Sequence, residues 1–207
     1  IREIKRKIDL YSMQDSEQNR NAIARNSIAD LIGGKRALNT DFLWIKKSEE
    51  NSKIFDWSKT LAFYASSDWE QGAISEWLPK TGFTNQFQVV KVLEEICIKR
   101  GLTLLVKPHP IRKNYKGIKS EKAEFEAWGA FKNSKNVRIL KMNEFTDPIF
   151  LINNCRINIG YRTSLTAQAM FLGKPCIITG EVAWKDNSIN NNYAQNPKLL
   201  EEKIDFY

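Results

Sequence analysis

The sequence lacks the two features that would place it in a membrane or outside the cell, namely long apolar runs and paired cysteines. No stretch approaches the ~18 apolar residues of a membrane-spanning helix, and no charged, apolar and small-residue series marks a secretion signal. The three cysteines, Cys97, Cys155 and Cys176, all fall inside apolar segments, where a reduced thiol packs as a small hydrophobe. We therefore expect a cytoplasmic protein without disulfides.

Histidine and cysteine, the residues typical of zinc sites, are equally scarce. His109 is the only histidine among 207 residues, and no spacing typical of a zinc or calcium site occurs in the sequence. We expect neither a metal nor another cofactor.

Basic residues, by contrast, are in excess. The chain has 32 lysines and arginines against 24 acidic residues, a formal net charge of +8, which favours an anionic partner such as a nucleotide, a lipid phosphate, an acidic glycan or a nucleic acid. The segment from 107 to 122 is especially basic, with Lys107, Arg112, Lys113, Lys116, Lys119 and Lys122. Either an anion-binding loop or a solvated lysine-rich loop fits this segment.

The first 58 residues differ in pattern from the rest. They are polar, with one helix predicted from about Ser16 to Ile32 and ended by two glycines. We interpret residues 1–58 as a helical linker or interdomain segment and residues 59–207 as a folded domain. Because the chain begins with Ile1, we expect it to be an excerpt or a processed product of a longer protein.

The extreme N-terminus alternates isoleucines with basic residues. This pattern fits either peripheral contact with the inner membrane face or a helix packed on an N-terminal domain that the sequence does not include. We favour the packed helix.

From residue 59 onward, short apolar runs alternate with helical patterns. The predicted strands are Lys59–Ala65, Leu102–Val106, Val137–Leu140, Arg156–Ile159 and Pro175–Thr179. The predicted helices are Gln86–Arg100, residues 121–131, Asp147–Asn153, and one that begins at Thr163 or Ser164 and ends at Gly173. This alternation predicts an α/β fold, a Rossmann-like doubly wound parallel sheet covered on both faces.

Polar residues follow three of the predicted strands, where ligands of such sheets bind. They are Ser66, Ser67, Asp68 and Glu70 after the first strand, Lys107 and His109 after the second, and Arg162, Thr163 and Ser164 after the fourth. Each group alone is explained by a turn, a rigid loop or a helix cap. Their convergence on one edge predicts a functional site.

The residue types indicate a phosphate pocket. His109 is fixed between two prolines and can donate to a phosphate oxygen, stabilising charge that develops as a nucleotide leaves. Thr163 and Ser164 at a helix start add hydroxyl groups to backbone N–H groups. We expect these residues to hold the phosphate of a nucleotide.

The segments YASSDWE, FTNQFQVVKVLEEI, LLVKPHP and FTDPIFLINNCRINIGYRTSLTAQAMFLGKPCIITG resemble bacterial capsular polysaccharide glycosyltransferases of the two-domain GT-B type. These include relatives of the Kdo transferases and, more remotely, sialyltransferases and CDP-glycerol glycerophosphotransferases. The resemblance covers about residues 59–180. It implies a C-terminal nucleotide-binding domain of a metal-independent enzyme that transfers a sugar from a CMP-, CDP- or UDP-linked donor to a glycan or lipid-linked acceptor.

The resemblance also implies residue roles. His109, Thr163 and Ser164 would contact the donor phosphate. The segment with Ser66, Ser67, Asp68 and Glu70 would lie near the sugar or the domain cleft, which makes Asp68 and Glu70 catalytic candidates beside His109. The sequence departs from the pattern in two places, with Gln168 where many relatives have glutamate and Arg162 where they have a small residue. Gln168 would then bind a ribose by a neutral hydrogen bond, and Arg162 would either grip phosphate or partly fill the pocket.

Two other functions fit the same residues. A sugar-nucleotide epimerase of the same fold would share the phosphate pocket and differ in needing no acceptor. A basic nucleic-acid-binding or non-catalytic scaffold domain is the third hypothesis. It is disfavoured because Phe63, Phe87, Phe125 and Phe150 fall within predicted strands and helices, not on an exposed basic face, so we expect no nucleic-acid partner.

Overall fold

The computed structural model describes residues 16–32, 55–66, 82–109, 126–140, 147–182 and 192–207. The chain divides into two compact units, Ile1–Ile45 and Lys46–Tyr207. In the first unit the described part is helix α1, Glu17–Ile32, as the sequence predicts. Ser16 lies just before it and its Oγ accepts a hydrogen bond from the Asn19 amide at 3.2 Å, which is how a serine caps a helix. The predicted domain boundary after residue 58 stays a prediction.

A parallel sheet forms the centre of the second unit. Its strands are β1 Thr60–Tyr64, β2 Thr103–Lys107, β3 Val137–Ile139, β4 Ile157–Gly160 and β5 Cys176–Ile178. They lie in the order β3-β2-β1-β4-β5, with every neighbouring pair parallel. This confirms the predicted Rossmann-like fold, and each strand lies within one residue of its predicted bounds.

Helices cover both faces of the sheet. They are α2 Gln86–Arg100, α3 Pro148–Asn154, α4 Leu165–Phe171 and α5 Pro197–Phe206. One core contains Leu61 and Phe63 of β1 with apolar residues of α2 and α5. The other contains Ala62 and Tyr64 with residues of α3 and α4. Because successive side chains of a strand point to opposite faces of the sheet, β1 contributes side chains to both cores. Fully burying one large apolar side chain contributes about 1.5–3 kcal/mol to stability.

Helix α2 begins and ends at the predicted residues. Asn85 Oδ1 accepts the Gln88 amide at 3.0 Å, and Gly101 follows the helix with a left-handed φ of 61°. Because glycine takes that conformation without a Cβ penalty, it ends the helix and turns the chain into β2.

The three cysteines are buried free thiols. Burial raises the pKa of each thiol to about 12, and Glu94 adds to the rise at Cys97. They pack as small apolar groups, as the sequence predicts.

The C-terminal segment extends the fold beyond the predicted elements. Residues 192–194 run beside β5, where the Ile178 amide donates to the Asn192 carbonyl and the Ala194 amide to the Ile178 carbonyl, both at 2.8 Å. Helix α5 then packs Leu200 and Ile204 into the core shared with α2. Of the helix predicted at 121–131, residues 126–129 are helical and 121–125 lie outside the described residues. No helix in the described part of the chain is long and apolar enough to cross a membrane.

Candidate functional site

The strand order places one crevice at the carboxyl edge of the sheet. Strand β1 lies between β2 and β4, so the chain leaves β1 toward one side through α2 and β2, and later returns to the other side at β4. Loops after two such strands diverge, and ligands of open α/β sheets bind between them. Here the two loops begin with Ala65 and Ser66 after β1 and with Tyr161 after β4.

A buried hydrogen bond joins the two strands that border this crevice. Tyr64 at the end of β1 donates its hydroxyl to Asn158 Oδ1 of β4 at 2.7 Å. Asn158 Nδ2 in turn donates to the carbonyls of Ile152 at 3.1 Å and Pro175 at 3.2 Å. Both side chains are fully buried, and burial raises the pKa of Tyr64 well above its usual value. The two strands on either side of the switch point are thus held together by a paired polar group inside the core.

Ser66 lies on the β1 side of the crevice. Its amide donates to Gln86 Oε1 and its carbonyl accepts from Gln86 Nε2, both at 3.1 Å. Ser66 is only 3% exposed, and its Oγ has no hydrogen-bond partner among the described residues. A hydroxyl buried in this way is uncommon in folded proteins, because leaving it unpaired costs about 1–3 kcal/mol.

On the β4 side, the start of α4 is pressed against the end of the strand. A Cβ at Gly160 would overlap the methyl group of Thr166 and lie 2.6 Å from that of Thr163. Thr166 Oγ1 donates to the Thr163 carbonyl at 2.8 Å. Only glycine at position 160 allows this close approach, which brings Thr163 to the carboxyl edge.

Ser164 is the residue before α4, as predicted, but its side chain makes no capping hydrogen bond. Thr163 Oγ1 accepts the Leu165 amide at a long 3.4 Å. The Ser164 hydroxyl is therefore on an exposed residue and is not used to cap the helix. With seven residues, α4 is a short helix.

Arg162 adopts an unusual backbone conformation between β4 and α4. Its φ is +52°, a left-handed value that costs a non-glycine residue about 1–2 kcal/mol. Its guanidinium lies over the Tyr161 ring, 5.1 Å from the centroid, and its Cγ would be 2.6 Å from a Cβ at Gly180 after β5. Beside it, Tyr193 donates to Glu181 Oε1 at 2.6 Å. Burial and this bond raise the Tyr193 pKa, and the Arg162 charge partly offsets the rise.

Gln168 lies one turn into α4. It is 6% exposed, and its Oε1 has no hydrogen-bond partner among the described residues. An amide oxygen in this state can accept a hydrogen bond from a ligand hydroxyl or amide group.

Lys107 and His109 lie on the far side of β1 from β4. Lys107 is in register with Tyr64, and burial lowers its pKa while Asp147 at the start of α3 raises it. His109 is half-buried two residues later. Because β2 and β4 are both neighbours of β1, their ends lie about 10 Å apart. A phosphate shared by His109, Thr163 and Ser164 stays a prediction.

Several predicted site residues lie outside the described residues. They are Ser67, Asp68, Glu70 and the basic residues from Arg112 to Lys122. Their roles stay predictions.

Gln86 is a site residue that the sequence patterns did not reveal. Its partner Ser66 is twenty positions away, and the hydrogen bonds join a loop to the first turn of a helix. The pattern around Gln86 is that of an ordinary amphipathic helix.

The strand order defines the class as a Rossmann-like α/β domain whose switch point lies between β1 and β4. One solved structure of similar fold is the UDP-GlcNAc 2-epimerase of Methanocaldococcus jannaschii, solved with UDP-GlcNAc and UDP. The two align with a TM-score of 0.52 at 15% sequence identity. The alignment covers 77% of this chain and 42% of the epimerase chain. No protein-family model and no curated protein matches the sequence.

Proposed function

We propose that residues 46–207 bind a nucleotide-sugar at the crevice between β1 and β4. The observation that carries this proposal is the pair of buried polar groups near the crevice, Ser66 Oγ and Gln168 Oε1, which no described residue satisfies. A hydroxyl can donate to a phosphate oxygen, and an amide oxygen can accept from a ribose hydroxyl. The similar fold of an epimerase solved with UDP-GlcNAc and UDP supports a ligand of this class.

Within that class we propose a metal-independent glycosyltransferase of the GT-B type that acts in bacterial capsule or other surface polysaccharide synthesis. The motif resemblance over residues 59–180 supports it. The bond between the donor phosphate oxygen and the sugar's anomeric carbon breaks, the acceptor hydroxyl oxygen bonds to that carbon, and a base takes its proton. Arg162, Lys107 and His109 supply positive charge or hydrogen bonds to the departing phosphate. Asp68 and Glu70 remain the candidate bases.

The second candidate is a sugar-nucleotide epimerase. The similar epimerase structure favours it, because the same fold there is solved with a nucleotide-sugar. The two candidates differ in the need for an acceptor. Incubation with UDP-GlcNAc alone, followed by proton NMR, tests for the epimerase, because an epimerase inverts a sugar carbon without any acceptor. Inversion would establish the epimerase. Since the chain spans 42% of the epimerase chain, we expect these residues to bind nucleotide without turnover, so a lack of inversion fits both candidates.

Calorimetric titration of the 207-residue chain with UDP, CDP and CMP tests the site. His109→Ala should weaken binding by about 1–3 kcal/mol, or about 5- to 150-fold, the range for a hydrogen bond to a charged group. The double variant Thr163→Ala/Ser164→Ala should weaken binding of the same nucleotide. If all three residues hold one phosphate, the combined loss should be smaller than the sum.

A matched control is Ser58→Ala, which removes an exposed hydroxyl before β1, at the opposite edge of the sheet. Its affinity should equal that of the wild type. If the wild type binds nucleotide and both crevice variants bind it with the same affinity, the phosphate does not lie between these residues.

A further inference from the structure

Gln86 makes a pair of hydrogen bonds that helps to hold the exit of β1 in place. Its side chain is fully buried, and its amide group bonds both backbone polar groups of Ser66 at 3.1 Å. A carboxamide is the group whose donor and acceptor match a peptide N–H and C=O at once. The Ser66 backbone is thereby held as it would be by a neighbouring strand.

With both backbone groups bonded, the hydroxyl is the polar group of Ser66 that lacks a partner among the described residues. Burial keeps Ser66 at 3% exposure, so water has little access to compensate the loss. A hydroxyl held rigidly and unpaired beside a ligand crevice is suited to bind a ligand, because its position needs no further ordering on binding.

The place of Gln86 in the fold adds an electrostatic reason. It is the first residue of α2, a helix of 15 residues, so the bonds join the exit of β1 to the positive end of that helix. An anionic group near Ser66 is favoured there by the helix dipole.

We infer that Gln86 is a positioning residue that presents the Ser66 hydroxyl to the phosphate groups of a bound nucleoside diphosphate. The inference rests on the proposed function for the ligand. Gln86 itself would touch no ligand, and it would act through Ser66 alone.

The test is a double-mutant cycle read by calorimetric titration with UDP. Gln86→Met keeps the length of the side chain and removes both hydrogen bonds, and Ser66→Ala removes the hydroxyl. We expect each single variant to weaken UDP binding about 10-fold, the scale of one hydrogen bond to a charged group. The double variant should also lose about 10-fold, not about 100-fold, because the second change removes nothing that the first has left in place.

Hydrogen exchange at the Ser66 amide gives an independent readout. It should speed up in Gln86→Met and stay slow in Ser66→Ala, because only the first variant removes the acceptor of that amide. The matched control is Asn136→Ala, which removes another side-chain bond to backbone, from Asn136 Nδ2 to the Leu102 carbonyl at 2.9 Å. That control should lower stability and leave UDP affinity unchanged.

Independent losses that multiply to about 100-fold would overturn the inference while leaving nucleotide binding in place. The same holds for unchanged UDP affinity in Gln86→Met with the wild type binding. A wild-type chain that binds none of UDP, CDP and CMP would instead overturn the proposed function, and the inference with it.

Discussion

The two edges of the sheet differ in how their polar groups are hydrogen-bonded. At the amino edge, Thr60 Oγ1 donates to the Asp56 carbonyl at 2.7 Å, and Asn136 binds the Leu102 carbonyl. Arg100, at the end of α2, bonds Glu201 and Asp205 through two of its nitrogens. Its Nη1 has no hydrogen-bond partner among the described residues, but the guanidinium as a whole is neutralised by these carboxylates.

At the carboxyl edge, Ser66 Oγ and Gln168 Oε1 are buried without partners among the described residues. Arg162 is held there in a left-handed conformation. Each of these features costs the folded state about 1–3 kcal/mol. Such costs are typical of ligand-binding sites, because a bound ligand can supply the missing hydrogen bonds. Polar groups that are already paired within the protein gain no such hydrogen bond from a ligand. The paired groups of the amino edge stabilise the fold, and the unpaired groups of the carboxyl edge are the ones that the proposed ligand would satisfy.

A shift to alkaline pH should have the largest effect on the free energy of unfolding. It tests how strongly the core between the two edges disfavours charged thiolates. Burial raises each of three thiol pKa values from 9.0 to about 12. Their contribution to stability is therefore complete below pH 9 and is lost as the pH rises from 9 to 12, since the unfolded chain releases thiol protons that the folded chain keeps. The three thiols should contribute up to about 4 kcal/mol per pH unit to this loss, and the raised pKa values of Tyr64 and Tyr193 add to it above pH 10.

Urea unfolding at several pH values checks this slope. Cys155→Ala should reduce the slope between pH 9 and 10 by about one third. An unchanged slope in that variant would mean that the Cys155 thiol titrates alike in both states.

Gly160→Ala should have the next largest effect and tests whether the crevice depends on close packing of α4. The added methyl group meets Thr163 and Thr166, so α4 must move away from β4. We expect a loss of about 1–3 kcal/mol in the free energy of unfolding, the usual cost of overpacking, together with weaker UDP binding. Gly129→Ala is the control, because a Cβ there meets nothing within 4 Å. Equal stability of both variants would refute the close approach.

The smallest stability effects test the comparison between the edges directly. Gln168→Met should change the free energy of unfolding by less than about 0.5 kcal/mol, since its Oε1 loses no protein partner, yet it should weaken UDP binding about 10-fold. Asn136→Ala should do the reverse, with a loss of about 1 kcal/mol in stability and normal binding. A destabilised Gln168→Met with normal UDP affinity would assign Gln168 to the core.

The sequence predicts the elements whose signals are local. Gly101 marks the end of α2, and the short apolar runs mark all five strands, because a parallel strand buried on both faces has no polar alternation to disguise it. The sequence does not predict helix α5, since only Leu200 and Ile204 are fully buried in it and two positions give little periodicity.

For the site, the same division holds. Ser66 is a candidate from the sequence because it directly follows a predicted strand, and its role as a site residue stays a prediction. The sequence does not predict the contact of Gln86 with Ser66, because the fold alone brings these residues, twenty positions apart, together. Ser164 is at the predicted cap position, but its side chain does not make the predicted capping hydrogen bond. Its backbone is in the αR conformation, whereas side-chain capping requires an extended geometry.

The C-terminal residues have a consequence for how the chain is handled in the laboratory. The Gly82 amide donates to the Gln195 carbonyl at 2.8 Å, and a Cβ at Gly82 would lie 2.5 Å from that oxygen. The chain just before α2 is therefore packed closely against the C-terminal segment. The far end of α2 is tied to α5 through Arg100. The helix that carries Gln86 is thus attached at both ends to residues 195–205. Truncation of this tail to obtain a smaller domain would remove the support of α2 and of the proposed binding site, although none of the proposed site residues would be deleted.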